Sequence, residues 1–313
     1  MQHLLKTSDL TSDDVAYLLK RSAKFKAKPL GRRSVLAGET VCLYFSKPST
    51  RTRISFETAV VKLGGVPLFL GPNDLQLGRG ETVEDTARVI SRFSRAVVIR
   101  TFEDREVERF ASAATIPVIN ALTDGHHPCQ SIADLMTLTE HKGPLDRLRI
   151  AYLGDGNNVA VSLMQAAALT GASIALGCPK GYDLPASVVE EARAVAKKHG
   201  GEVVVTEDPT EALRGADAVY ADVWLSMGHS DSERAARHAA LAPYQVNQKA
   251  MSLAKPDALF LHCLPAHRGE EVTAEVADGP ASAIFDQAEN RLWTGMAVLY
   301  ALLENKLEGV KAG

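Results

Sequence analysis

The feature that most constrains this chain is a repeated alternation of short apolar runs with longer stretches of helical spacing. Apolar runs at 41–45, 66–70, 96–100 and 117–121 alternate with segments whose apolar residues fall on one helix face, at 52–63, 82–94, 104–114 and 131–141. Lys142-Gly143-Pro144 interrupts the pattern and a second series begins. Its strand candidates are 149–153, 173–177, 202–206, 218–221 and 258–262, with helices at about 158–169, 185–199, 209–214 and 245–252. Strands joined through helices pair in parallel and leave helices on both sheet faces. The expectation is an α/β protein of two domains, each a parallel β-sheet flanked by helices, with long helices running between them. Residues 1–142 plus 286–313 would form one domain and 143–285 the other. A first helix at about 11–27 opens the chain. A last one over 290–307, with Leu292, Met296, Leu299, Leu302 and Leu303 on one face, is available to cross back. Two stretches read as long loops, Gly71 to Gly80 and Ser226 to Leu241, and loops of that length in a compact domain tend to be binding elements.

In a parallel sheet, residues after the carboxyl ends of strands converge on the binding crevice. Every polar cluster in this sequence follows a strand candidate. The first is Ser46-Lys47-Pro48-Ser49-Thr50-Arg51-Thr52-Arg53, between an apolar run and a helix whose face carries Phe56, Ala59, Val60 and Leu63. Proline turns the chain, so Ser49 to Thr52 should lie at a helix N-terminus, where unpaired N–H groups and the positive dipole end attract a phosphate or carboxylate. Hydroxyls of Ser49, Thr50 and Thr52 add donors, and Arg51 adds a planar fork for two phosphate oxygens. Arg100 and Thr101 follow the third strand candidate.

Bulk properties narrow the ligand. The 313 residues carry a net charge of -3, so no basic excess exists to neutralise a nucleic acid backbone. Arg51, Arg53 and Arg100 are better read as devices for a small anion. No apolar run approaches a membrane span. The N-terminal residues lack a signal peptide's apolar core. Cys42, Cys129, Cys178 and Cys263 are scattered without a Cys-x-x-Cys pair, which suggests neither zinc nor a disulfide framework and fits a reducing, cytoplasmic setting.

His127 and Gln130 lie about one helical turn apart after the fourth strand candidate. Two neutral donors beside an arginine suit a polarised carbonyl oxygen, and no His-x-x-x-His or carboxylate companion supports a metal. Gly154-Asp155-Gly156-Asn157-Asn158-Val159 only partly matches a dinucleotide fingerprint. Val159 replaces the third glycine, and the next strand ends in Gly177-Cys178-Pro179 where a ribose-binding acid belongs. Asn157 and Asn158 at a helix start could instead hold a small carboxylate. No phosphate-binding loop ends in Lys-Ser or Lys-Thr. Cys263, in Phe260-Leu261-His262-Cys263-Leu264-Pro265, follows a buried strand candidate and is placed near Asp222.

Taken together, these motifs resemble the ornithine carbamoyltransferases of the aspartate/ornithine carbamoyltransferase family, over essentially the whole chain. Ser49-Thr50-Arg51-Thr52-Arg53 matches the family's Ser-x-Arg-Thr-Arg, and His127-Pro128-Cys129-Gln130 its His-Pro-x-Gln. Aspartate transferases share both. Asp222 to Gly228 resembles the ornithine loop, and His262-Cys263-Leu264-Pro265 supports the same acceptor. The resemblance implies transfer of a carbamoyl group from carbamoyl phosphate to the δ-amine of L-ornithine, with no cofactor. It assigns the phosphate to Ser49, Thr50, Arg51, Thr52 and Arg100, and the carbonyl to Thr52, Arg100 and His127. Gln130 takes the carbamoyl nitrogen, Arg291 reaches the same substrate from the last helix, and Gln76 serves a neighbouring subunit. Cys263 and Leu264 line the reacting end and complete the carbamoyl phosphate set, while Asn158, Asp222, Ser226 and Met227 would hold ornithine. The cross-subunit role of Gln76 implies a homotrimer or a multiple of trimers. One departure is His229-Ser230-Asp231, where many relatives continue Gln-Glu; it bears on how the loop closes.

Overall fold

A computed structural model describes residues 3–31, 33–77, 80–225 and 231–309. The chain divides into two compact units, residues 1–136 with 289–313 and residues 137–288.

The first unit opens with α1 (Ser12–Lys26), started by a capping box in which Thr11 Oγ1 accepts from Asp14 N at 3.1 Å and Asp14 Oδ2 accepts from Thr11 N at 2.9 Å. Then follow β1 (Thr40–Phe45), α2 (Thr50–Lys62), β2 (Val66–Leu70), α3 (Val83–Phe93), β3 (Ala96–Arg100), α4 (Asp104–Ala113), β4 (Val118–Leu122) and α5 (Pro128–Lys142). The four strands are parallel in the order β2-β1-β3-β4. β1 and β3 are apolar along their length because both sheet faces are covered. Cys42, Tyr44, Val97 and Ile99 pack on one side with Ile90, Val107 and Phe110 of α3 and α4.

The second unit holds β5 (Arg149–Leu153), α6 (Asn158–Thr170), β6 (Ser173–Gly177), α7 (Ala186–His199), β7 (Val203–Thr206), α8 (Pro209–Leu213), β8 (Ala218–Ala221), α9 (Asp231–Leu241), α10 (Gln248–Met251), β9 (Leu259–His262) and α11 (Ala274–Ala277). Its parallel sheet runs β7-β6-β5-β8-β9. α6 is apolar around its circumference and buried from Val159 to Leu169, as expected of a helix packed on every side. α12 (Ile284–Leu303) ends the regular structure. The division at 136/137 falls within α5, and that at 288/289 within α12. No helix of the described residues is long and apolar enough to cross a membrane.

All nine strand expectations are met within a residue at either end. Two helix expectations need correction. The stretch Ser226 to Leu241, read as a long loop, contains α9 from Asp231 onward. Its apolar positions are alanines, which signal a helix face weakly by hydrophobicity yet favour helix by propensity. The last helix begins at Ile284 and ends at Leu303 rather than spanning 290–307.

Candidate active site

In the first unit, β1 delivers the chain to a turn at Pro48, and α2 starts at Thr50 with Ser49 as its N-cap. The Ser49 side chain makes no capping hydrogen bond, so the first turn of α2 keeps its N–H groups for an anion. Phe45 to Thr50 line a cavity of about 450 Å³ together with Arg53, Ile54, Phe69, Gly71 and Pro72. Neighbouring residues fix this turn. Ser46 N donates to Arg100 O at 2.9 Å and Ser46 Oγ to Thr101 Oγ1 at 2.8 Å, which ties the end of β1 to the end of β3. Lys47 pairs with Asp124 at 2.6 Å. Arg53, expected to serve the anion, lines the same cavity, pairs with Glu57 at 2.9 Å and lies over the Phe69 ring at 3.5 Å. It is one helical turn from Glu57, the spacing at which such pairs form on a helix.

Deeper in the same unit, buried side chains form a polar line. Arg291, on α12, donates through Nη2 to Thr52 Oγ1 at 3.2 Å and through Nη1 to Gln130 Oε1. Gln130 Nε2 donates onward to Asp134 Oδ1 at 2.7 Å. Asp134 therefore orients the Gln130 amide, a role legible in principle from its position one turn along α5. Burial, with Arg291 and Arg100 nearby, holds His127 well below the ordinary histidine range. The ring is neutral at physiological pH and can offer a neutral donor to a carbonyl oxygen. Thr52, His127, Gln130 and Arg291 are brought together at the carboxyl ends of β1 and β4, and Arg100 ends β3. Gln76 is exposed in the loop after β2.

The second unit gathers a different set at the carboxyl ends of β5, β8 and β9. Asn157 caps α6, its Oδ1 accepting from Val159 N at 3.0 Å and Ala160 N at 3.1 Å. Its Nδ2 donates to Asp222 Oδ2 at 2.7 Å. The other Asp222 oxygen accepts from Cys263 Sγ at 3.0 Å. Asn158 is the first residue of α6, directly beside this cap. Pairing of Ala221 with His262 across β8 and β9 explains how residues 41 positions apart meet. Both asparagines were read at the helix start as candidates for a small carboxylate; the bond from Asn157 to the Asp222 side chain is what the sequence did not reveal. Gly156 is needed for packing, since a Cβ there would lie 2.7 Å from Asp183 C and Leu184 N. That close approach accounts for the glycine without a dinucleotide. Arg237 of α9 pairs with Asp155 and donates to Trp224 O at 2.7 Å, securing residues next to the ornithine motif. Ser226 and Met227, with the departure at His229 and Ser230, lie outside the described residues.

Asp222, His262 and Cys263 place possible metal-binding atoms within 4.8 Å of one another. His262 Nδ1 already accepts from Leu264 N at 2.8 Å, and Nε2 faces Glu271 Oε1 at 3.1 Å. Both ring nitrogens are therefore committed, and the trio is not a preformed metal site.

Comparison with known proteins agrees along the full chain. Residues 2–140 match the carbamoyl-P binding domain of aspartate/ornithine carbamoyltransferases, and residues 146–302 match the Asp/Orn binding domain. The ornithine carbamoyltransferase of Bacillus subtilis strain 168 is 51% identical over 300 residues, which are 96% of this chain and 93% of that protein. The Acidothermus cellulolyticus ornithine carbamoyltransferase is 50% identical over 97% of each chain. Among solved structures, the Pyrococcus furiosus ornithine carbamoyltransferase superposes with a TM-score of 0.94 at 45% identity, covering 98% of each chain. On these matches, the chain belongs to the aspartate/ornithine carbamoyltransferase family.

Proposed function

We propose that this chain is an ornithine carbamoyltransferase, moving the carbamoyl group of carbamoyl phosphate to the δ-amine of L-ornithine and releasing citrulline and phosphate. Residues 1–142 with 286–313 bind carbamoyl phosphate, and residues 143–285 bind ornithine. The observation that carries this reading is the buried Asp222 carboxylate bridging Asn157 and Cys263. It offers an anionic anchor for an amino acid's ammonium group beside a thiol and a helix N-terminus.

Carbamoyl phosphate places its phosphate at the start of α2, on Ser49, Thr50, Arg51 and Thr52 with Arg100, and its carbonyl oxygen on Thr52, Arg100 and His127. Gln130, held by Asp134 and Arg291, accepts from the carbamoyl nitrogen. Ornithine is held at its α-amino and α-carboxylate ends by Asn158, Asp222, Ser226 and Met227, with Cys263 and Leu264 at the reacting end. The δ-amine has a reference pKa of about 10.4, so on the order of one molecule in a thousand is free base at neutral pH. The cationic set Arg51, Arg100 and Arg291 disfavours the ammonium form, and the Cys263–Asp222 pair is the route for its proton. Attack on the carbonyl carbon forms a tetrahedral oxyanion facing donors already in place. Collapse breaks the C–O bond to phosphate.

Gln76 acts on the phosphate site of a neighbouring copy, in a homotrimer or a multiple of trimers. Support comes from the surface next to it, since Ile54 and Val61 of α2 and Val66 and Leu68 of the edge strand β2 are exposed apolar residues. An uncovered edge of that kind favours association. The setting proposed is the cytoplasm, where reducing conditions keep the four cysteines as the thiols observed.

A phosphate-release assay at fixed carbamoyl phosphate, run with L-ornithine, putrescine, N-acetylornithine and L-aspartate and with citrulline identified as the ornithine product, tests the reading. L-ornithine should be preferred by a wide margin. Preference for an acceptor lacking the α-carboxylate would remove the role given to Asn158.

A further inference from the structure

We propose that the Glu271–His262 pair is a positioning device for the Cys263–Leu264 corner, acting on the ornithine step without touching substrate; the inference rests on the function proposed above. His262 ends β9, and both it and Glu271 are fully buried. His262 Nδ1 accepts from Leu264 N at 2.8 Å. A ring nitrogen that accepts carries no proton, so the proton of the neutral ring sits on Nε2. Nε2 lies 3.1 Å from Glu271 Oε1, which receives it. Glu271 thus selects the tautomer that leaves Nδ1 able to accept. The opposite tautomer would set two N–H groups against each other at Leu264.

The rest of the corner is built around that ring. Leu264 has φ +60°, the left-handed region that side chains with a Cβ rarely occupy. Its N–H bond to Nδ1 is a local interaction that holds this conformation. His262 N donates to Gln287 Oε1 at 2.9 Å, and Gln287 Nε2 to Tyr220 Oη at 3.1 Å, so the backbone is anchored from β8 as well. Glu271 Oε1 also accepts from His267 N at 2.6 Å, closing the 262–271 segment on one oxygen. Cys263 stands between two anchored residues, and its thiol meets Asp222 at 3.0 Å. The imidazole therefore decides where the thiol and Leu264 stand.

Two substitutions separate positioning from packing. An asparagine amide puts a polar atom where Nδ1 was, and a glutamine amide puts one where Nε2 was. His262→Asn keeps an acceptor for Leu264 N and gives up the Glu271 contact, whereas His262→Gln does the reverse. In the full-length protein, citrulline turnover, KM for ornithine, Kd for carbamoyl phosphate and Tm are measured for both. The expected result is a similar fall in Tm, with kcat down about a hundredfold in His262→Gln, the cost of a misplaced reacting group. His262→Asn should stay within about tenfold of wild type, the scale of one neutral hydrogen bond. Kd for carbamoyl phosphate should be unchanged in both. Glu271→Gln keeps the side-chain volume but can donate to Nε2 and admit the wrong tautomer; it should lose about tenfold in kcat with Tm little changed. Equal kcat losses in the two His262 variants, or wild-type turnover in Glu271→Gln, would overturn the proposal. Lack of citrulline formation by the wild-type protein would instead remove the functional reading beneath it.

Discussion

Replacing Asp222 by asparagine tests whether the two substrates are handled by separable parts of the chain. The carboxylate accepts from Asn157 Nδ2 at 2.7 Å and Cys263 Sγ at 3.0 Å. Asparagine has the same shape but only one acceptor oxygen. Asn157 cannot flip to accommodate it, because its Oδ1 caps α6 through Val159 N and Ala160 N. The new oxygen must therefore serve Asn157, and the new NH2 turns towards Cys263. Losing a charged acceptor costs about 1.5–3 kcal/mol per hydrogen bond. Two such losses, one to the thiol and one to the ammonium group of ornithine, sum to about 3–6 kcal/mol. At about 1.36 kcal/mol per decade that is roughly a 10²- to 10⁴-fold fall in kcat/KM for ornithine. The phosphate and carbonyl oxygens of carbamoyl phosphate are assigned to residues of the other unit, so its Kd by calorimetry should move far less. Steady-state citrulline formation with ornithine varied, beside that titration, gives both numbers. A loss under tenfold, or an equal loss of carbamoyl phosphate affinity, would refute the assignment of Asp222.

Arg51→Ala should cost several kcal/mol of transition-state stabilisation, of the order found when a donor to a developing charge is deleted, about 3–4 kcal/mol. Mixing it with Gln76→Ala should partly restore citrulline formation if Gln76 works across subunits; mixtures no better than either variant would argue for self-contained sites. His127 has a pKa held well below that of an unfolded histidine, so the unfolded chain takes up a proton first as pH falls. Stability from this group is complete above the unfolded pKa of about 6.5 and declines through acid pH towards the folded value. Tm measured from pH 8 to 5 should fall, and His127→Gln should flatten the profile; an unchanged slope would show that His127 is not the group responsible. Burial pushes the thiols of Cys42, Cys129 and Cys178 up to about 12, so in the native protein iodoacetamide should label the half-buried Cys263 first, with ornithine protecting it. Mass spectrometry showing faster labelling of any of the other three would contradict the structure.

Strand positions were legible because a parallel sheet covered on both faces demands continuous apolar runs, and Val41 to Phe45 and Ala96 to Ile99 are such runs of strand length bounded by polar residues. Ser49 to Arg53 and His127 to Gln130 were legible for a related reason: a helix start after a strand places neighbouring residues at one point, so local sequence contains the geometry. α9 was not, because its alanines carry little hydrophobic signal. The pairing of Arg53 with Glu57 was not read either, because composition does not rank a partner one turn away against an anion.

Sequence alone thus determined most element types, the parallel sheets and the sets of residues that follow each strand, since these depend on periodicity and on neighbours within a few positions. Tertiary structure alone decided which members of those sets touch. Arg291 reaches Thr52 from 239 residues away, Asn157 donates to Asp222, and Glu271 stands behind His262. Such contacts depend on strand order and helix packing, which bring together partners distant in the chain, and burial and hydrogen-bond geometry select among them.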